Sequence, residues 1–189
     1  MRGQTGFTLT ELLVVVAIVA ILLGIGVPSY RYITNSYRMS AEMNSLVGDL
    51  MYARAEAIRE GQPVAICVST DGLTCSGGFT WENGWIVFPD PLGGGSGDVP
   101  GSVLHVQQAF TGATPDRFVL ANPISSIIFN REGFAVGAPA GVNTAFAANQ
   151  FTLHDPTANA AWTRCMQISA QGMIQTESAQ NPNLFAGCN

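Results

Sequence analysis

Met1-Arg2-Gly3-Gln4-Thr5-Gly6-Phe7-Thr8-Leu9-Thr10-Glu11 opens the chain, and an apolar run follows as far as Val27-Pro28. From Leu12 to Tyr30 no residue carries a charge. That is long enough to cross a hydrocarbon core of ~30 Å as a helix. One acidic residue, Glu11, stands at the head of this run. An ionisable group in such a place is costly to bury and points to a function. A secretory signal has a shorter apolar centre closed by a small-residue cleavage site; here the run is longer, and no Ala-x-Ala closes it. A plain membrane anchor fits the length but gives no reason for Glu11 or for Gly6-Phe7-Thr8-Leu9. Arg2 favours keeping the short N-terminus in the cytoplasm, which sends everything after Pro28 across the membrane.

The composition narrows the rest. The chain has 189 residues, enough for a leader, a helix and one domain of ordinary size. Only 11% of residues are charged, every one of the eight cations is Arg, and the formal net charge is −5. It falls by one more unit if Arg2 is removed. This balance argues against a strongly basic nucleic-acid surface. The four cysteines are Cys67, Cys75, Cys165 and Cys188. An even count beyond a membrane helix reads as two disulfides. Three connectivities are possible, and local loop closure favours Cys67–Cys75 with Cys165–Cys188. Neither pair has CxxC-like spacing with a nearby His, so no metal site is expected.

Arg31 to Glu60 contains no Pro and one Gly, with apolar residues recurring near helical spacing from Ile33 and Tyr37 to Ala57 and Ile58. Gly61 and Pro63 give a stop signal. One helix of ~80 Å is therefore expected from Met1 or Phe7 to Glu60, apolar all round at first and amphipathic later, with a kink at Pro28. From Pro63 onward short β-type runs take over. They are Val64–Ser69, Phe79–Trp81, Trp85–Phe88, Val103–Gln108, Arg117–Leu120, Ile124–Phe129, Phe151–His154, Cys165–Ser169 and Met173–Thr176. Asn83-Gly84 reads as a hairpin turn, and residues 91–100 and 136–149 read as loops. The fold class is α+β: antiparallel β-sheets packed on a long N-terminal helix.

The opening stretch resembles the class III signal of type IV pilins and type II secretion pseudopilins. The resemblance implies a leader, residues 1–6, removed by a prepilin peptidase between Gly6 and Phe7, with methylation of the new N-terminal Phe7. Residues 7–29 then form the transmembrane and filament-core helix, and residues 30–189 a periplasmic pilin domain that includes the amphipathic half of the helix. Glu11 becomes the fifth mature residue, whose carboxylate pairs with the N-terminal amine of a neighbouring subunit during assembly. Within the domain, Leu46-x-x-Asp49-Leu50-x-x-Ala53-Arg54-x-Glu56-Ala57-x-x-x-Gly61-x-x-Val64-x-Ile66-Cys67 resembles the GspH/FimT/FimU family of minor pilins and pseudopilins. So do Trp81-x-x-Gly84-Trp85-x-x-Phe88-x-Asp90 and Ile128-Phe129-x-x-x-Gly133.

What this implies is a structural subunit that primes or caps a type IV pilus at its tip. It would be held first in the inner membrane by one span. Its partners would be other minor and major pilins, the prepilin peptidase and the inner-membrane assembly platform. A minor pseudopilin of a type II secretion system shares every one of these features. A DNA-uptake pilin is a third reading. In such relatives a Gly-Arg-x-Arg element follows the penultimate strand, whereas this chain has Gly172-Met173-Ile174-Gln175 there, without arginine. DNA affinity rests largely on phosphate neutralisation, so this substitution disfavours a DNA receptor. Trp81, Trp85 and Trp162 could stack on bases, though large aromatics are more often core residues. Arg54 and Glu56 read as a solvated helix face with pairs such as Glu56–Arg59. His105 and His154 stand near no nucleophile motif, no Ser lies in Gly-x-Ser-x-Gly, and no carboxylates are paired by spacing, so neither an enzyme nor a cofactor is expected. Asp90 and Asp98 flank a glycine loop and could offer oxygens to Ca²⁺. A plain loop is the simpler account.

Overall fold

The structure is a computed structural model describing residues 7–95, 100–111, 115–138, 144–145, 149–180 and 188. Helix α1 spans Leu9–Glu60 and contains Pro28. Among the described residues ten strands follow: β1 (Val64–Val68), β2 (Gly84–Pro89), β3 (His105–Gln108), β4 (Arg117–Leu120), β5 (Ser126–Phe129), β6 (Ala135–Ala138), β7 (Thr144–Ala145), β8 (Asn149–His154), β9 (Arg164–Ile168) and β10 (Ile174–Ser178). They form two antiparallel sheets, one ordered β3-β2-β1-β5-β6-β7 and the other β10-β9-β8-β4. The chain divides into two compact units, Met1–Arg38 and Met39–Asn189.

In the second unit, Met39, Met43, Leu46, Leu50, Ala53 and Ala57 of α1 are buried. Their alternating four- and three-residue spacing draws one stripe along the helix. Ile33, Tyr37, Met51 and Ile58, which share the apolar periodicity, are exposed. The stripe packs into a core with residues of both sheets, among them Val64, Ile66, Trp85, Phe129, Phe151 and Met166. Aromatic rings knit that core edge to face. Trp81 meets Phe151 at 5.6 Å, Phe118 meets Phe151 at 6.2 Å, and Trp85 meets Phe110 at 6.0 Å between centroids. All of β1 is buried, although an antiparallel sheet commonly keeps one wet face. The reason is a second, smaller core of Ala65, Cys67, Ile86, Phe88 and Ile128, with Cys75 packed against it. The Cys67–Cys75 disulfide ties the loop after β1 to that side, and Cys165–Cys188 ties the tail to β9.

The structure differs from the sequence expectation at Phe79–Trp81, Asn83-Gly84, residues 136–149 and Arg54. Phe79–Trp81 is not a strand. Trp81–Asn83 forms a single 3-10 turn, Trp81 is fully buried, and its indole N–H donates to the Ile124 carbonyl at 3.1 Å. Asn83-Gly84 is accordingly not a hairpin turn. Gly84 begins β2 at φ 104°, where a Cβ would stand 2.6 Å from the Gln107 carbonyl oxygen on β3. Residues 136–149 are not all loop either, since they hold most of β6, all of β7 and the start of β8. The small Ala and Gly residues there suggest a loop by composition, while pairing with β5 supplies strand order that composition does not carry.

Two family-motif residues on α1 fasten the helix to the sheets. The Asp49 carboxylate accepts the Trp85 indole N–H at 2.8 Å and lies 3.3 Å from His105 Nε2, so it joins α1 to β2 and β3. The Arg54 guanidinium donates to the carbonyls of Gly172 at 2.9 Å and Gln171 at 3.2 Å, so it joins α1 to the turn between β9 and β10. Arg54 is thus not part of a freely solvated face, whereas Glu56 does pair with Arg59. Gly172 has φ +72°, and a Cβ there would stand 2.3 Å from the Gly133 carbonyl oxygen and 3.1 Å from Arg54 Nε. Only glycine lets the turn, the β5–β6 corner and the guanidinium meet.

Gly172→Ala meets backbone oxygen that cannot yield, and costs about 2 kcal/mol or more; thermal unfolding of the variant should begin several degrees lower. Asp49→Ala strands the Trp85 N–H and costs about 1–3 kcal/mol. Asp49→Asn, which keeps an acceptor, should recover most of the loss in the same unfolding scan. Asp71 behaves differently because it titrates. Its carboxylate accepts from the Thr74 hydroxyl at 2.7 Å and from the Thr74 and Leu73 amides at 2.8 Å each, which holds its pKa well below the usual carboxylate range. A depressed folded pKa contributes stability above the unfolded value of about 4 and loses it as pH falls toward the folded one. The melting difference between wild type and Asp71→Asn should therefore be full at neutral pH and narrow below about pH 4.

Candidate assembly segment

Leu9 is the first helical residue of α1, so Thr8 occupies the N-cap and Glu11 the third helical position. Thr8 Oγ1 accepts the Glu11 amide at 3.3 Å, while Glu11 Oε2 accepts the Thr8 amide at 2.9 Å and the Thr8 hydroxyl at 2.9 Å. This is a capping box, in which each side chain satisfies an end donor that the helix cannot. The Thr-x-x-Glu spacing Thr8-Leu9-Thr10-Glu11 carries that signal in the sequence. In the single chain, then, the Glu11 carboxylate already has partners and also faces the positive end of the helix dipole.

The segment around Glu11 offers an apolar surface on every side. Phe7 is 84% exposed, and Leu12, Leu13, Val14, Ile21 and Ile25 are all exposed. This is the one helix among the described residues long and apolar enough to cross a membrane. Gly6, the other side of the expected cleavage junction, lies outside the described residues.

The remaining sequence candidates fall into structural roles. Trp81 and Trp85 are fully buried, which removes them from stacking on bases. Trp162 is half-buried. The Gly172–Gln175 stretch, where DNA-uptake relatives carry arginines, borders a shallow depression of about 170 Å³ lined by Gln167, Ser169, Gln171, Met173 and Gln175, none of them charged. Asp90 accepts the Gly93 amide at 3.0 Å and the Gly95 amide at 2.7 Å, so its oxygens hold the glycine loop. Asp98 lies outside the described residues. Among those described, no group of three or more His, Cys, Asp or Glu residues is placed to hold a metal ion. His105 faces Asp49, and His154 lies 3.4 Å from the Thr163 hydroxyl. Cys188 is bonded to Cys165.

Comparison with known proteins converges on one family. A model described as "Prokaryotic N-terminal methylation motif" matches residues 1–27, and one described as "Type II transport protein GspH" matches residues 42–172. The chain is 35% identical over 80 residues to a "Fimbrial protein" of Pseudomonas aeruginosa, a match covering 42% of this chain and 51% of that protein. It is 41% identical over 75 residues to the "Type IV major fimbrial protein FimA" of Dichelobacter nodosus, covering 39% of this chain and 43% of that one. The chain thus spans about half the length of the curated relatives it matches. In fold it is similar to the crystal structure of the type IV minor pilin FimU of Pseudomonas aeruginosa, at a TM-score of 0.52 and 18% identity, covering 82% of this chain and 93% of that one. With the methylation motif at its start, the GspH match over most of its domain and a long apolar helix on antiparallel sheets, the chain belongs to the GspH family of minor pilins and pseudopilins.

Proposed function

We propose that this chain is a minor pilin that primes or caps a type IV pilus at its tip. The observation that carries the reading is an α1 start that is apolar on all sides, with one carboxylate held at its first turn. Such a surface must be covered by lipid or by other helices. The first situation is the inner membrane, with the domain on the periplasmic side. The second is a bundle of like helices in a filament. Cleavage after Gly6 and methylation of Phe7 would release the amine that Glu11 of a neighbour accepts. Glu11 leaves its Thr8 cap when that stronger, charged donor arrives, since a charge-assisted hydrogen bond exceeds a neutral one. The domain then meets neighbouring minor and major pilins through its exposed side chains, and no catalytic step is asked of it. The GspH description of the matching family favours a second reading, a minor pseudopilin of type II secretion.

A deletion strain tests the proposal directly. Loss of surface pili and twitching supports a pilus subunit. Normal pili with failed protein secretion favours the pseudopilin, and normal pili with failed transformation favours DNA uptake. In the complemented strain, Glu11→Ala should still be processed at Gly6–Phe7, as judged by mass, yet enter filaments far less. Normal entry of that variant removes Glu11 from assembly.

A further inference from the structure

The stretch Tyr30-Arg31-Tyr32-Ile33-Thr34-Asn35-Ser36-Tyr37-Arg38 follows the apolar run and lies wholly within the first compact unit. Tyr30, Tyr32 and Tyr37 are exposed, at 72%, 44% and 74%, and Arg31 and Arg38 are exposed with them. Tyr30 and Tyr37 are seven residues apart, as are Arg31 and Arg38, so each pair lies on one helix face. Two adjacent stripes result, one aromatic and one cationic, each on the order of 10 Å long. Tyr32 falls on roughly the opposite side, which carries the aromatic ring around the helix. Between them Thr34 turns its hydroxyl back to the Tyr30 carbonyl at 2.8 Å.

Distance and charge point to one occupant. From Glu11 to Tyr30 the helix rises about 28 Å, close to the thickness of a hydrocarbon core. Tyr30 and Tyr32 therefore fall where phenol rings sit best, apolar body inward and hydroxyl in the headgroups, and Tyr37 stands about 10 Å farther out, on the aqueous side of that layer. Arg31 and Arg38 are the charged residues between Glu11 and Glu42, and Arg38 stands one helical turn before Glu42. A second copy docked stripe to stripe would set arginine against arginine. Lipid phosphates instead supply the complementary charge in a layer of the right thickness, and long Arg side chains reach such a layer from the helix end.

We propose that Tyr30–Arg38 is a lipid-headgroup collar, in which Arg31 and Arg38 bind anionic phospholipid and Tyr30 and Tyr32 fix the depth of the helix. This rests on the membrane-anchored reading above. It adds a checkpoint, because the arginines must release phosphate before the subunit leaves the bilayer for a filament.

The test uses the full chain in phosphatidylcholine vesicles carrying traces of spin-labelled phosphatidylglycerol or spin-labelled phosphatidylcholine. Flotation with the neutral vesicles checks the anchor, and the preference for the anionic label checks the collar. Wild type should prefer phosphatidylglycerol by roughly fivefold per arginine at low salt, and less as salt rises. Arg31→Gln with Arg38→Gln should abolish the preference while flotation persists. Arg31→Lys with Arg38→Lys should retain most of it, which separates lost charge from lost folding, and Arg117→Gln on β4 should change nothing. A chain that fails to float with neutral vesicles overturns the anchor and the collar together. A chain that floats with no anionic preference, or a double glutamine variant that keeps the preference but no longer enters filaments, overturns the collar alone. In the last case the arginines would serve a neighbouring subunit.

Discussion

The stripe Met39, Met43, Leu46, Leu50, Ala53 and Ala57 is the surface on which the second unit is built, and its spacing decides what can pack there. Residues four and three apart superpose on one helix face. The stripe ends in two alanines, which let strands come close near Glu60, and starts with methionines, which fill irregular space. Both sheets contribute to the cluster over it, and the aromatic rings of Trp81, Trp85, Phe118 and Phe151 fill the space between them. Neither sheet could bury its apolar face without this helix.

Apolar packing does not choose orientation, since it is non-directional. The polar fasteners do. Asp49 holds the Trp85 indole on the first sheet, and Arg54 holds the carbonyls of Gln171 and Gly172 at the second. Each is a directional bond from the helix into an otherwise apolar contact, and each removes rotations that the core would tolerate. The motif that marks the family is in this respect a set of joints. That explains why its residues do not gather into a cleft with perturbed groups. The same joint bears on DNA uptake, because the turn that would have to present arginines is the turn Arg54 holds, and its exposed side chains are Met173 and glutamines.

The first unit answers to a different constraint. Its apolar side chains have no core to enter, so the surroundings must complete it. If Glu11 exchanges partners as proposed, it starts from a satisfied state. In the single chain Thr8 satisfies it, which lowers the cost of keeping a carboxylate at the edge of an apolar segment. The Thr8 bonds are weak enough to be displaced by a charged donor. If the collar at Tyr30–Arg38 holds phosphate as proposed, the segment has a polar fixture at each end and release from the bilayer requires both to change partners.

Much of this was readable along the chain. The charge-free run, the stop at Gly61 and Pro63, and most strand positions follow from periodicity and turn residues, which are local properties. Short loop closure favours the disulfide pairing that the structure shows, without excluding the other two. The misreadings mark where locality fails. Trp81 has the composition of a strand, yet its place is set by the Ile124 carbonyl, 43 positions away. The Ala- and Gly-rich stretch after Val136 pairs with β5 despite a loop-like composition. Arg54 reads as a surface residue until the Gly172 carbonyl, 118 positions away, arrives beside it. By itself the sequence determined most of the elements, the family and the membrane-length helix, because these depend on neighbours within a few turns. The tertiary structure decided which polar residues are joints and which remain free for partners, because a hydrogen bond between distant residues leaves no periodic trace in the chain.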